Sequence, residues 1–252
     1  MYVRGYAQYC PIAKASEILG DRWTLLIVRE LLGGVSGFNE LQRGLPGISR
    51  SVLTDRLRSL ERAEVIERRT GPKGRTLDYR LTLAGRDLEP VVQAIGEWGV
   101  TWSFTDPRRE ELDPDLLIVW MARHVDREQL PPNRTVVRFE FRSPAKRYWM
   151  VLEPDDVSVC LQHPGFDVDL DVRVDTATLY RVYLGRAELG AAMRAHKLTL
   201  NGPRTLQRGF GRWFAWSAFA PASRRAEERR RSASRRASPE RVWVERSSPR
   251  RP

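Results

Sequence analysis

Only 2 of the 252 residues are cysteine, 3 are histidine and 4 are methionine. Cys10 and Cys160 sit in different halves of the chain. They are too few and too far apart for the disulfide framework that holds small secreted domains, so a reducing cytoplasm is the expected setting. His124, His163 and His196 are as widely spread. No His, Cys and carboxylate cluster has the spacing of a metal site, or of a nucleophile with its base, so neither enzyme chemistry nor a cofactor is expected. No apolar run approaches the ~20 residues that span a bilayer. The opening stretch MYVRGYAQYCPIAKASEILG lacks the continuous apolar segment of a secretion signal. Membrane insertion and export therefore drop out of the expectation.

Positive charge is plentiful but unevenly placed. Of the net +11, residues 221–252 hold 11 Arg and 4 Glu, or +7. Residues 1–104 hold 15 Lys and Arg against 12 acids, +3, and residues 105–220 hold 17 against 16, +1. Bulk basicity therefore says little about a partner, and the placement of a few cations has to carry that question. With 41% apolar residues the chain can bury a sizeable core.

The informative stretch is Gly37 to Arg80. Phe38 to Leu45 reads as a short helix and Pro46-Gly47 breaks it. A second helix runs from an N-cap at Ser49 to about Glu64, with Leu53, Leu57 and Leu60 at i, i+4 and i+7 on one side. At 100° per residue, Ser51, Thr54 and Arg58 lie on the far side, with Arg50 at its edge. Val65 to Arg69 and Thr76 to Leu81 read as strands around the tight turn Gly71-Pro72-Lys73-Gly74. Helix, turn, helix and a two-stranded wing make a winged helix-turn-helix, an element that reads DNA. Upstream, Ile12–Leu19 and Trp23–Leu32 read as helices, the second capped by Asp21. Trp23, Leu26, Ile27, Glu30 and Leu31 share one of its faces. Downstream, Thr82 caps a long helix from about Leu83 to Trp102, with Pro90 as a possible kink.

Five separated motifs carry a resemblance here: the Cys-Pro start, the Gly-x-x-Trp-Thr helix, Phe-x-x-Leu, Pro-Gly-Ile-Ser-x-x-x-Leu and Tyr-x-Leu-Thr-x-x-Gly. In that order, across residues 8–100, they resemble the HxlR-type winged-helix regulators. The resemblance implies a homodimeric bacterial transcription regulator joined through its terminal helices.

Asp106 to Pro114 is polar, bounded by prolines, and reads as a linker. After a helix at Leu116–Val125, four runs alternate with a period of two: Thr135–Arg142, Lys146–Glu153, Val157–His163 and Asp167–Val174. They predict antiparallel strands with one wet face. Helices at Asp175–Leu184 and Arg186–Ala195, a strand at Lys197–Asn201 and a helix from Pro203 to about Trp216 follow. The stretch FDVDLDVRVDTATLYRVYLGRAELGAAMRAHKLTLNGPRTLQRGFGRWF resembles the sterol-carrier-protein-like lipid-binding fold, which implies an apolar cavity between sheet and helices. The predicted class is thus α+β: a winged helix-turn-helix domain at 1–104, a linker at 105–114 and a sterol-carrier-like domain with a mainly antiparallel sheet at 115–220. Residues 221–252, rich in Arg, Ser and Pro, are expected to be disordered.

The DNA-contact candidates are Ser49, Arg50, Ser51, Thr54 and Arg58 on the second helix and Lys73 and Arg75 at the wing tip. Arginine can fork onto guanine, while Ser and Thr more often hold phosphates. Of Arg68 and Arg69, which alternate faces, at most one points at DNA. Trp120, Phe139, Phe141 and Trp149 are either core or the wall of a site for a small hydrophobic effector. The resemblance to a family whose members place a cysteine there implies a redox sensor at Cys10; the alternative is a packed cysteine of the dimer helix. Asp167-x-Asp169-x-Asp171 lacks the turn and distal Glu of a calcium loop and reads as the wet side of a strand. The expected function is a regulator that binds a palindromic operator on double-stranded DNA as a dimer. The competing reading is a lipid or small-molecule carrier whose winged helix serves as a protein-interaction or dimerisation module.

Overall fold

The protein was analysed as a computed structural model that describes residues 5–71, 76–103 and 105–237. Helix α1 (Pro11–Leu19) starts after Cys10 with proline in its first turn, where a missing N–H costs nothing. Next come α2 (Thr24–Leu32), α3 (Phe38–Gly44) and α4 (Arg50–Arg62). Strands β1 (Ile66–Thr70) and β2 (Thr76–Leu81) pair antiparallel, from Ile66 opposite Leu81 to Thr70 opposite Thr76. Ile27, Val28, Leu41, Leu45, Leu53, Leu57, Leu60 and Ile66 close one core beneath these elements. Helix, turn, helix and a two-stranded wing follow in the order that the periodicity predicts.

Two local expectations in this half fail. Asp21 does not cap α2. The residue before the helix is Trp23, at φ 80° with no side-chain cap, while the Asp21 carboxylate pairs with Arg56 of α4. The expected helix from Leu83 to Trp102 is three pieces: α5 (Leu83–Arg86), α6 (Glu89–Trp98) and a π-helical turn at Gly99–Ser103. Thr82 does cap α5, accepting from the Gly85 amide at 3.2 Å. Pro90, which cannot donate within a helix interior, instead opens α6.

The predicted linker contains a short 3-10 turn at Arg109–Glu111 and is tied down at Asp106, which pairs with Arg181 and Arg186. Helix α7 (Pro114–Arg123) is capped by Asp113, whose carboxylate accepts from the Asp115 and Leu116 amides. Strands β3 (Thr135–Arg142), β4 (Ala145–Leu152), β5 (Val157–Cys160) and β6 (Leu170–Val174) follow, then α8 (Thr176–Tyr183), α9 (Leu189–Arg194), β7 (Leu198–Asn201) and α10 (Arg204–Gly209). The sheet order is β5-β4-β3-β6-β7. Residues 161–169 carry the chain from the β5 edge to the other side of β3. That makes β3 and β6 parallel, where hairpin-like neighbours were expected; the remaining pairs are antiparallel.

Alternation divides the sheet into a dry face and a wet one. Val137, Phe139, Phe141, Tyr148, Met150, Val172, Val174 and Leu200 pack under the helices with Leu117, Ile118, Leu179, Phe210 and Trp213. The opposite face carries an ion network: Arg138 with Asp171, Arg147 with Glu140, and Arg173 with both acids. Of the three aspartates expected on the wet side of a strand, only Asp171 lies within β6, where it pairs with Arg138; Asp167 and Asp169 precede the strand, and Asp169 accepts from the Val136 amide at 2.8 Å.

The tail expectation needs the largest correction. Residues 220–237 form helix α11 (Ala220–Ala237). Ala220, Ala222, Ser223 and Ala226 recur on one side and are buried, and Phe219 seats against Gly96 of α6 so closely that a Cβ there would come within 2.2 Å. Small side chains permit this approach without large apolar residues, which is why composition did not reveal it. Residues 238–252 lie outside the described residues.

The leucine stripe under α4 yields a direct expectation. Leu57 is 1% exposed, so Leu57→Ala should cost about 2–5 kcal/mol through lost transfer energy and the cavity left behind. Chemical denaturation should show a lower midpoint at unchanged slope.

Candidate nucleic-acid interface

Helix α4 is aimed by its own cap and stripe. Ser49 Oγ accepts from the Val52 amide at 3.2 Å, fixing the helix start, and Leu53, Leu57 and Leu60 are buried. What remains outward is what the helical wheel predicts: Ser49, Arg50, Ser51 and Arg58 are exposed and Thr54 is half-buried. The Thr54 hydroxyl donates to the Arg50 carbonyl at 2.8 Å, which leaves its lone pairs as the outward-facing function. Ser49 and Ser51 hydroxyls lie 3.0 Å apart.

The two arginines differ. Arg50 lies over the Phe38 ring at 4.9 Å and donates from Nη1 toward Gln42 Oε1 at 3.3 Å and Asn39 Oδ1 at 3.4 Å. Helix α3 therefore holds its guanidinium in place. Arg58 is 71% exposed, with Asp55 only at 4.0 Å, and solvent screens so open a pair. Arg56 serves structure instead, donating from Nε to the Arg22 carbonyl at 3.1 Å and pairing with Asp21. It anchors α4 to the segment entering α2.

An open groove of about 690 Å³ runs between α3, α4 and the wing, lined by Asn39, Arg43, Arg50, Thr54, Arg58 and Arg68, with Glu40 and Glu61 at its sides. The structure thus brings together Arg50, Thr54 and Arg58 and adds Asn39 and Arg43, which the helical wheel of α4 alone could not find. The signal for them was their own i, i+4 spacing on α3. Of the alternating pair, Arg68 faces the groove, 3.4 Å from Glu61, while Arg69 is bound to Asp78 at 2.6 Å. Lys73 and Arg75 lie outside the described residues. A groove rimmed by cations with hydroxyls and amides beside them suits a phosphate backbone with base edges within reach.

The candidate effector residues do not converge. Phe139 and Phe141 are fully buried and packed against Phe210 and Tyr148 at 6.1 and 5.6 Å. Trp149 lies opposite Arg138 in the register, on the other face of the sheet, beside His163 with ring centroids 5.8 Å apart. Its indole N–H is buried without a partner. Trp120 is partly buried between Tyr180 and Tyr183. Cys10 is a half-buried free thiol at the start of α1, and Cys160 a half-buried one at the end of β5. Among the described residues no group of three His, Cys, Asp or Glu could hold a metal ion.

Residues 18–106 match the family model described as HxlR-like helix-turn-helix. The chain is 38% identical over 105 residues to the uncharacterized HTH-type transcriptional regulator YvaP of Bacillus subtilis, covering 40% of this chain and 97% of that one. It is 42% identical over 91 residues to an uncharacterized HTH-type transcriptional regulator of Mycobacterium tuberculosis, 35% of this chain and 56% of that one. Among solved structures, the reduced form of the transcriptional regulator YodB from B. subtilis is 33% identical over 38% of this chain and 96% of that chain, with a TM-score of 0.34.

Proposed function

The chain belongs to the HxlR-like helix-turn-helix family, and from that membership we propose that it is a cytoplasmic transcriptional regulator that binds double-stranded DNA. The observation that carries the reading is α4: a capped helix with its leucines buried and Arg50, Ser51, Thr54 and Arg58 turned outward. In this reading α4 enters the major groove, Arg43 and Arg68 meet the flanking phosphates, and Lys73 and Arg75 extend the contact from the wing.

A second copy of the chain completes the regulator. Ile12 on α1, Val91, Ile95 and Trp98 on α6 and Trp102 on the π-helical turn are large apolar residues left exposed. A two-fold partner covers them and presents a second α4, so the operator is palindromic with half-sites about one helical turn apart. The sheet domain takes the sensing role for a small hydrophobic effector, a reading supported by the apolar faces of its alternating strands. Such a molecule changes DNA affinity only by favouring one arrangement of the dimer over another.

These three parts are tested separately. Arg50→Ala or Arg58→Ala should cost about 1–3 kcal/mol of specific binding. The wild type should lose affinity steeply with salt, and Arg58→Ala should flatten that slope; footprints identical to wild type would remove α4 from its role. Trp98→Glu should convert a sedimenting dimer to monomer, and an unchanged dimer places the interface elsewhere. Native mass spectrometry with a panel of hydrophobic metabolites should show a one-to-one adduct with the full chain, and a dry result removes the sensing assignment.

A further inference from the structure

The winged-helix half and the sheet half share one buried ion cluster. Glu30 lies in α2 and is only 3% exposed. One of its carboxylate oxygens accepts from Arg29 Nη2 at 2.7 Å and Nε at 3.2 Å. The other accepts from Nη1 of Arg123, the last residue of α7, at 2.9 Å. Arg29 also lies over the Trp120 ring at 5.5 Å, and Trp120 stacks on Tyr183 of α8 at a centroid distance of 6.2 Å and 22°.

The oxygen that accepts from Arg123 also meets the end of α3. Gly44, buried at the end of that helix, approaches so closely that a Cβ would fall 2.3 Å from Glu30 Oε2 and 2.8 Å from Cδ. Gly44 immediately precedes Leu45, Pro46 and Gly47, the turn that aims α4. The glycine is needed here for close approach. A carboxylate this deep stays in place only while its charge is met. One of the two cations that meet it is supplied by the other domain.

We propose that Glu30 is a positioning residue for the DNA-reading helix, and that Arg123 is the joint through which the sheet domain sets the pose of the helix-turn-helix. The proposal rests on the DNA-binding reading above and assigns the regulation of that same site. With Arg123 in place, both oxygens of Glu30 are engaged and the carboxylate forms a fixed stop under Gly44. Without Arg123, one oxygen is left buried and unmet. The side chain then turns toward water, and the end of α3 loses its stop. A displacement of α7 against α2, from whatever source, acts on the same contact. The sheet domain thereby reaches DNA affinity without touching DNA, as coupling between two sites requires.

The test uses full-length protein and the tightest-binding fragment that the wild type selects from genomic DNA. Arg123→Gln should weaken binding at least about fivefold, the low end of typical coupling between sites. The slope of log affinity against log salt should stay unchanged, since no phosphate contact is lost. Amide exchange at Leu45 and Ile48, which bond Gln42 and Leu45 carbonyls at 3.3 and 3.1 Å, should speed up in parallel. Arg123→Lys should recover part of the affinity. An Arg123→Gln protein that melts lower yet binds within about twofold of wild type, with unchanged exchange in the turn, overturns the joint and leaves the DNA reading standing. A wild type without salt-dependent binding sinks the DNA reading instead, and exchange at Leu45 and Ile48 still decides whether Arg123 reaches the turn. If Arg123→Gln does not fold, Arg123→Lys carries the same exchange comparison against wild type.

Discussion

Burial on one side of α4 produces display on the other. Leu53, Leu57 and Leu60 lock the helix into the core, and with its rotation fixed the outward residues have no freedom left to choose. Ser49 sets where the helix begins, and Arg56 ties its middle to the segment before α2. The groove then inherits its cations from neighbours on three elements: Arg43 from α3, Arg58 from α4 and Arg68 from the wing. A slip of one residue in the helix would turn leucines outward and arginines inward, so the same hydrophobic contacts that stabilise the fold also set the orientation of the site.

Much of this was legible because amphipathic periodicity is a local property of the chain. The α4 stripe, the Ser49 and Thr82 caps and the two wing strands all appear where spacing places them. What escaped depends on partners distant in sequence. Asp21 looks like a cap in isolation, but Arg56, 35 residues on, claims its carboxylate. The hold on Arg50 comes from Phe38, Asn39 and Gln42, on a different helix. The parallel pairing of β3 with β6 is a matter of chain crossing, which alternation cannot encode. Helix α11 was hidden by arginine-rich composition because its buried face is built of alanine and serine, residues that carry little weight in a hydrophobicity average.

The second half consists of sheet and helices, as alternation and helical spacing predict. Its alternating strands gave the dry face accurately, since Phe139 and Phe141 do point to the helices. The β3–β4 register, with Tyr148 opposite Phe139 and Trp149 opposite Arg138, places Trp149 on the other face of the sheet from Phe139. Whether a layer between sheet and helices is hollow or filled depends on the sum of side-chain volumes from six or seven elements, and no window of sequence contains that sum. Glu30 shows the same limit from the other direction. Its place on the apolar face of α2 was visible, but the arginine that makes such a position tolerable is 93 residues away.

The wet face of the sheet has a consequence for how the molecule meets a polyanion. Arg138, Arg147 and Arg173 alternate there with Glu140 and Asp171, and this pairing leaves a single net positive charge among the five. Beyond a Debye length of about 8–10 Å almost nothing of their field survives. That broad surface is electrically quiet. The sheet itself therefore adds little torque near a nucleic acid, and the arginines around the groove, together with the arginine-rich segment after residue 220 that holds +7 of the net charge, decide which way round the chain arrives.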